Sequence, residues 1–229
     1  AVIGVQGAYE NPLSDWTARF VQLEIEERYA RMRSQERIDF VGSYSAAYRR
    51  DVFLEQGGFD EGFRAASGED PDLSFRLADQ GHRLVFNPNA VVAHFHPTSL
   101  LKYWKTKFFR AYWRVRMYAK NPQKLKGDSY TNPLLKFQII LVAAAVASGI
   151  LFAVGSNVAL AIGNWYPLAF GLSAATYLLA VFLLTFPTAA FMLQRDWKAG
   201  IGAPFVLFVN AFLFVAGLAY GNLRRVGSR

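Results

Sequence analysis

Phe137-Gln138-Ile139-Ile140-Leu141-Val142-Ala143-Ala144-Ala145-Val146-Ala147-Ser148-Gly149-Ile150-Leu151-Phe152-Ala153-Val154-Gly155-Ser156 carries no charged side chain. It opens a longer run, Phe137 to Leu193, that contains no Asp, Glu, Lys, Arg or His, and a second uncharged run follows from Ala199 to Leu223. A helix needs roughly 20 apolar residues to cross a bilayer, so the first run has room for two spans and the second for one. Helices in soluble cores keep a polar face, and these runs have none. The expected spans are Leu134 to Ser156, Trp165 to Met192 and Ile201 to Asn222. The 229 residues are 53% hydrophobic and include no cysteine. That cysteine count fits a reducing compartment and an exported protein equally well.

Immediately before the first run lies a basic, aromatic segment. Between Pro97 and Lys126 there are nine Lys or Arg residues and no acid. Trp104, Phe108, Ala111, Val115 and Tyr118 recur at three- and four-residue steps, and Lys107, Arg110 and Arg114 take another side of the same helix. This pattern suits a helix in the membrane interface, with its apolar face in lipid and its cations among headgroups. Basic residues interleaved with aromatics also occur in single-strand nucleic-acid binders. The adjoining spans explain the segment without such a ligand, and no nucleic-acid partner is expected.

Further upstream the chain is mixed α and β. Ala1 to Gly7 reads as a short strand. The chain shows no initiator Met and no signal-peptide pattern, so a fragment of a longer protein is expected. Ser14 is a plausible N-cap for a charged helix running to about Gln35. Asp39 to Ala47 reads as a strand. Arg50 to Gln56 reads as a short helix stopped by Gly57-Gly58, with Phe59 placed in the core. Asp70-Pro71-Asp72 opens a further helix that ends at Gly81. Arg83 to Phe86 and Ala90 to His94 read as strands around an Asn87-Pro88-Asn89 turn.

Four stretches of this region belong together: Gly42-Ser43-Tyr44-Ser45-Ala46-Ala47-Tyr48-Arg49-Arg50, Gly57-Gly58-Phe59-Asp60-Glu61, Gly68-Glu69-Asp70-Pro71-Asp72-Leu73-Ser74-Phe75-Arg76-Leu77 and His94-Phe95-His96-Pro97. In order and spacing they resemble the processive and lipid-linked family 2 glycosyltransferases, over roughly Ala1 to Tyr118. The resemblance implies an α/β fold: part of a GT-A (nucleotide-diphospho-sugar transferase) domain over residues 1–96. A basic amphipathic interface segment over 97–130 and a helical transmembrane anchor over 131–229 would follow.

Read alone, Asp70 is the N-cap of its helix. The resemblance implies that it is the general base of an inverting sugar transfer, taking the acceptor hydroxyl proton, with Glu69 beside it. Gly42, Ser43, Asp60, Glu61, Arg110 and Trp113 fall in the implied acceptor region, although a solvated turn accounts for Asp60 and Glu61 as well. His94 and His96 leave a strand on one side, and the resemblance implies that His94 holds a divalent metal (Mg²⁺ or Mn²⁺) bridging the nucleotide diphosphate. Processive relatives carry Gln-x-x-Arg-Trp where this chain has Lys107-Phe108-Phe109-Arg110-Ala111-Tyr112-Trp113. That departure argues against processive synthesis. No Asp-x-Asp of the family's metal-binding kind precedes Gly42. The donor half is therefore expected outside this chain, and the chain by itself is expected to be inert.

The function so implied is transfer of a sugar from a nucleotide-diphosphate donor to a lipid-linked or glycan acceptor, in polysaccharide biosynthesis at the cell envelope. The place is the cytoplasmic face of the inner membrane, with membrane lipids as neighbours. A non-enzymatic membrane scaffold that retains the fold is the competing reading. A channel or transporter is disfavoured, since the runs carry no ionisable group. Three spans pose one conflict. The basic belt before Leu134 and the loop at Arg195 and Lys198 both belong inside by the positive-inside rule. A third span would then carry Arg224, Arg225 and Arg229 outside.

Overall fold

The computed structural model describes residues 1–63, 68–162 and 166–224, with side chains at all of these except 157–162 and 166. Strand β1 (Val2–Glu10) lies at the centre of a sheet of order β2-β1-β3. Strand β2 (Ala46–Tyr48) pairs with it antiparallel, and β3 (Arg83–Ala93) pairs with it parallel. Helix α1 (Trp16–Arg33) follows β1, α2 (Arg50–Glu55) follows β2, and α3 (Glu69–Asp79) precedes β3. The core gathers Phe20, Tyr29 and Met32 of α1 with Leu73 and Leu77 of α3 and Leu84 of β3. The fold class is thus mixed α/β, as the sequence implies.

Four local expectations are corrected. The cap of α1 is Asp15, not Ser14: its carboxylate accepts from the Thr17 and Ala18 amides. Of the strand expected over Asp39 to Ala47, only the end forms ladder structure. The donors before it go elsewhere: Ile38 N–H to Leu84 O, Asp39 N–H to Ser129 Oγ, Val41 N–H to Ser74 Oγ and Gly42 N–H to Gln6 Oε1. Ile38 bridges to β3 through the backbone; from Asp39 onward side chains supply the partners that a neighbouring strand would otherwise give. The Asn87-Pro88-Asn89 turn does not reverse the chain. Phe86 pairs with Gln6 and Val91 with Ala8, so the extra residues bulge out of one continuous parallel strand. Gly7 sits opposite the bulge, where Ser45 and Ala90 leave no room for a Cβ. Phe59, expected in the core, is exposed and touches Phe53 by its edge; Phe63 is buried instead, with Phe75 and Met117.

Gly57 and Gly58 take φ of 73° and 67°, the left-handed region that favours glycine, as a helix stop requires.

Helix α4 (Leu100–Lys120) covers the basic segment. After it come α5 (Leu134–Ile162), α6 (Tyr166–Leu183), α7 (Phe186–Leu193) and α8 (Trp197–Leu223). Among the described residues three stretches are long and apolar enough to cross a membrane: Leu134–Ser156, Pro167–Leu193 and Trp197–Leu223. Trp165, the expected start of the second span, lies outside the described residues. That second stretch is broken between α6 and α7. Pro187, in the first turn of α7, cannot donate to the carbonyl of Leu183 and its ring crowds that carbonyl.

Helix α4 does not have the surroundings its pattern suggests. Its apolar stripe packs against α8: Gly217 sits on Phe108 and Ala111, and Gly221 on Tyr112 and Val115. Several of its cations point back into the α/β domain. Lys107 pairs with Glu24, and Arg116 and Lys120 pair with Asp60; Arg114 instead binds Tyr118 of α4 itself and Thr131 of the connection that follows it. Apolar and charged faces are both present as expected, but protein partners take most of each.

Candidate active site

Asp70 is where the sequence motif and the structure meet. The α3 cap position is occupied by Gly68, so Asp70 is the second helical residue and not the cap. Its carboxylate is held from across the cleft: Oδ2 accepts from the Ser43 amide at 3.0 Å and from Ser43 Oγ at 3.1 Å. Oδ1 is buried and has no partner among the described residues. Burial raises the Asp70 carboxyl above the usual carboxylate range and the Glu69 charge adds to this, while the two Ser43 hydrogen bonds oppose it. The result is a directed carboxylate with one oxygen committed and one free, raised in basicity by its surroundings.

The Asp70-Pro71-Asp72 spacing separates the two carboxylates. Residues two apart on a helix point about 200° away from each other. Asp72 is accordingly fully buried on the far side, bound to Arg76, Lys120 and Asn121. This Asp-x-Asp therefore does not converge on one site.

The loop that holds Asp70 is itself clamped. Gln6, on the central strand and fully buried, donates to Gly7 O at 2.6 Å and to Ser45 O at 3.1 Å and accepts from Gly42 N–H. One amide thereby fixes Gly42 through Ser45. Neither Gln6 nor the aromatic wall beside the loop was singled out in the sequence. Tyr9 lies 4.1 Å from Tyr44 and stacks on His94 at 4.7 Å, ring centre to ring centre. Burial pushes the phenols of Tyr9 and Tyr44 well above their ordinary value, so both remain neutral. Tyr130 and Thr131, from the connection after α4, close the cleft. A Gln or a Tyr in isolation carries no motif. The repeated Tyr at 9, 29, 44 and 130 was the available signal, and it becomes legible only once the chain is folded.

The cleft holds about 270 Å³ and is lined by Asp70, Glu69, Ser43, Tyr44, His94 and Arg110. Among the other expected site residues, Gly42 is the clamped neighbour of Ser43. Arg110 is exposed, forms no ion pair among the described residues and borders this cleft together with two adjoining cavities. Trp113 is not brought to the cleft; it packs against Phe63 and Tyr112. Asp60 binds Arg116 at 3.1 Å and Lys120 at 2.9 Å and accepts from the Gly62 amide, which ties the glycine turn to α4. Burial would raise its carboxyl, but Lys120, the Gly62 amide and Arg116 hold it down to about 2. Glu61 is exposed in the same turn.

His94 and His96 do lie on one side, with ring centres 5.2 Å apart. His96 is buried and its Nε2 is 2.9 Å from Gln22 Oε1. Among the described residues no three His, Cys, Asp or Glu side chains gather to hold a metal. His94, stacked on Tyr9, would supply a single ligand, and Mg²⁺ and Mn²⁺ require several oxygens. The residues present do not fit a metal centre by themselves, and no step below is routed through one.

Residues 1–112, which hold the sheet, the motif-bearing loops and the directed carboxylate, match the family described as glycosyltransferase like family 2. The chain is also similar to the pre-mycofactocin glycosyltransferases of Mycobacterium tuberculosis strains CDC 1551 / Oshkosh and ATCC 25618 / H37Rv. Each is 30% identical over 148 residues, which cover 65% of this chain and 29% of the relative. The chain thus spans under a third of the length of the curated relatives it matches.

Proposed function

We propose that the protein containing this chain transfers a sugar from a nucleotide-diphosphate donor to an acceptor hydroxyl at a membrane surface, with Asp70 as the general base. The observation that carries this reading is the Asp70 carboxylate in the cleft lining, held by Ser43 through one oxygen while the other is buried without a partner among the described residues. Attack by a hydroxyl on the anomeric carbon forms a new glycosidic bond and breaks the bond to the nucleotide diphosphate. The hydroxyl proton passes to Asp70 as attack proceeds. Tyr9 and Tyr44 offer a stacking wall for a sugar ring, and Arg110 offers a charge to an anionic group of donor or acceptor.

The acceptor we infer is lipid-linked or a glycan. Arg110, Arg114, Tyr130 and Thr131 line both the Asp70 cleft and a smaller cavity at the junction with α5, α7 and α8. A head group can reach Asp70 along that path while an apolar tail stays with the membrane helices. Placement at the cytoplasmic face of the inner membrane follows from the basic character of residues 97–126.

The test is transfer of radiolabelled sugar from nucleotide-diphosphate donors by membranes carrying the full-length protein. Extraction into organic solvent separates a lipid-linked product from a glycan. Transfer is expected, and Asp70→Asn is expected to lower it by about 10²–10⁴-fold at unchanged protein level. A protein with no transfer from any donor, yet with a stable membrane partner, would favour the scaffold reading. For the 229-residue chain alone, calorimetry with UDP or GDP and Mn²⁺ is expected to show weak or no binding, because His94 stands without a gathered set of carboxylates. Micromolar affinity abolished by Asp70→Ala would show a complete donor site.

A further inference from the structure

Helix α8 has the length and composition of a span, yet it keeps company with α1 at its start and with α4 from its middle to its last turn. At its start, Trp16 Nε1 donates to Lys198 O at 2.9 Å, the Trp16 ring covers Gly202, and Arg19 pairs with the capping Asp196 at 2.6 Å. At its middle, Asn210 Nδ2 donates to Tyr103 Oη at 2.7 Å. Near its end, Gly217 and Gly221 press against Phe108 O and Tyr112 O of α4. The contact points rise together along both helices, so α8 and α4 run side by side in the same direction. Gly217-Leu218-Ala219-Tyr220-Gly221 supplies the small-residue spacing that lets two helix backbones approach.

If α8 stood across the bilayer, the paired stretch of α4 would stand with it. From Tyr103 to Val115 that stretch is about 18 Å long. It carries Lys105 and Arg110 exposed, along with Lys107 and Arg114. Such charges do not sit in hydrocarbon without partners. The α5–α6 hairpin is the opposite case. Beyond Val142, which packs with Val181 and Ala211, its outer surface is exposed and apolar: Ile150, Leu151, Val154, Leu168 and Leu172 are all open.

We infer that, of the described helices, only the α5–α6 hairpin crosses the membrane, and that α8 lies in the plane of one leaflet as a lipid-facing floor beneath α1 and α4. Its small-residue face, Ala199, Ala203, Gly217 and Gly221, is the buried one. Its outward face presents Trp197, Ile201, Phe205 and Leu223, exposed by 62 to 82%, to the acyl chains and headgroup boundary of the bilayer. The helix is apolar all round because protein covers one side and lipid the other. Arg224 then stays on the same side as the basic α4 and as Arg195 and Lys198. The conflict posed by a third span disappears.

The chain has no cysteine, so single cysteines report cleanly. In oriented vesicles holding the full-length protein with its other cysteines, if any, replaced, Lys198→Cys and Arg224→Cys are expected to react with an impermeant maleimide from one side, and Ser156→Cys, at the far end of the first span, from the other. Arg224→Cys reacting from the side of Ser156→Cys would overturn the proposal. Nitroxide labels at Ile201, Phe205, Ala216 and Leu223 give an independent reading through their accessibility to oxygen and to a water-soluble nickel complex. One shared, shallow depth is expected. A depth that passes through a maximum between Phe205 and Ala216 would show a span and refute the in-plane placement.

Discussion

The Ser43–Asp70 pair sets the behaviour of the site at the level of single side chains. A base must be ionised to accept a proton, and burial with Glu69 nearby raises the Asp70 carboxyl. Activity is therefore expected to fall on the acid side beginning above the ordinary carboxylate range. Ser43→Ala removes a hydrogen bond that favours the ionised form, so the acid limb moves to higher pH and turnover at neutral pH falls about tenfold, equivalent to ~1.4 kcal/mol. A pH–rate profile of the two proteins checks both statements; an unmoved limb would mean that Ser43 does not tune Asp70. His96 gives a separate signature. Burial, together with His94 and Arg110, lowers it to about 4. The native state then stays neutral where the unfolded chain, with a His near 6.5, binds a proton. Stability contributed by the neutral His96 is present above about pH 6.5 and is lost as pH falls toward 4. Thermal unfolding across that window should show a smaller loss for His96→Gln, whose amide keeps a partner for Gln22.

At the scale of elements, the connections between helices and strands matter more than the elements themselves. Gln6 holds the loop of Ser43 from the central strand. Gln6→Ala would leave the Gly42 amide and two carbonyls without their partner, at a cost of about 1–3 kcal/mol for a buried group. The expected outcome is a lower unfolding temperature together with reduced transfer. Gln6→Glu should not restore the loop, since a carboxylate cannot donate to Gly7 O and Ser45 O. Helix packing offers a second case. At Gly217 and Gly221 the backbone of α4 stands where a side chain would go, so Gly217→Leu must push the helices apart. Overpacking of this kind costs about 1–3 kcal/mol, and limited proteolysis near Ser99 or Asn121 should speed up accordingly. Sequence periodicity placed an apolar face on α4 correctly. It did not say what would cover that face, because α8 lies about a hundred residues further on.

For the molecule as a whole, the joint between the α/β domain and α4 rests on a buried charge cluster. Lys107 Nζ lies 2.5 and 2.7 Å from the two Glu24 oxygens, and Arg28 and Tyr103 bind the same carboxylate. Burial alone would raise the Glu24 carboxyl, but Lys107 and Arg28 outweigh it and hold the group at about 2. Burial also pulls the Lys107 ammonium down; with an ionised carboxylate in contact, the charged pair prevails. Removing one partner leaves buried charge uncompensated, which costs about 3–5 kcal/mol. Glu24→Ala is therefore expected to lower the unfolding temperature sharply, and Glu24→Gln less so. Calorimetry of the detergent-solubilised protein makes the comparison. Glu27 adds a smaller link, reaching Asn132 and Thr188, and Arg19 with Asp196 a third at the turn into α8.

Two kinds of information were set by the chain alone. Uncharged runs such as Phe137 to Leu193 fix which segments can face lipid, because transfer of side chains into hydrocarbon depends on composition and length. The four motifs around Ser43, Asp60, Asp70 and His94 marked the domain and its family, because their order and spacing are properties of the sequence. Orientation and pairing were left to the tertiary structure. Asp70 is a tethered carboxylate and not a helix cap because Ser43, 27 residues away in sequence, reaches it across the cleft. Asp60 serves α4, and Trp113 serves Phe63, although both share motifs with site residues. Lys107 meets Glu24 across 83 residues of chain and so becomes part of the core, where its helical pattern had pointed to headgroups. A charge in a sequence pattern specifies only that some partner or solvent must be found; the packing of α1, α4 and α8 decides which.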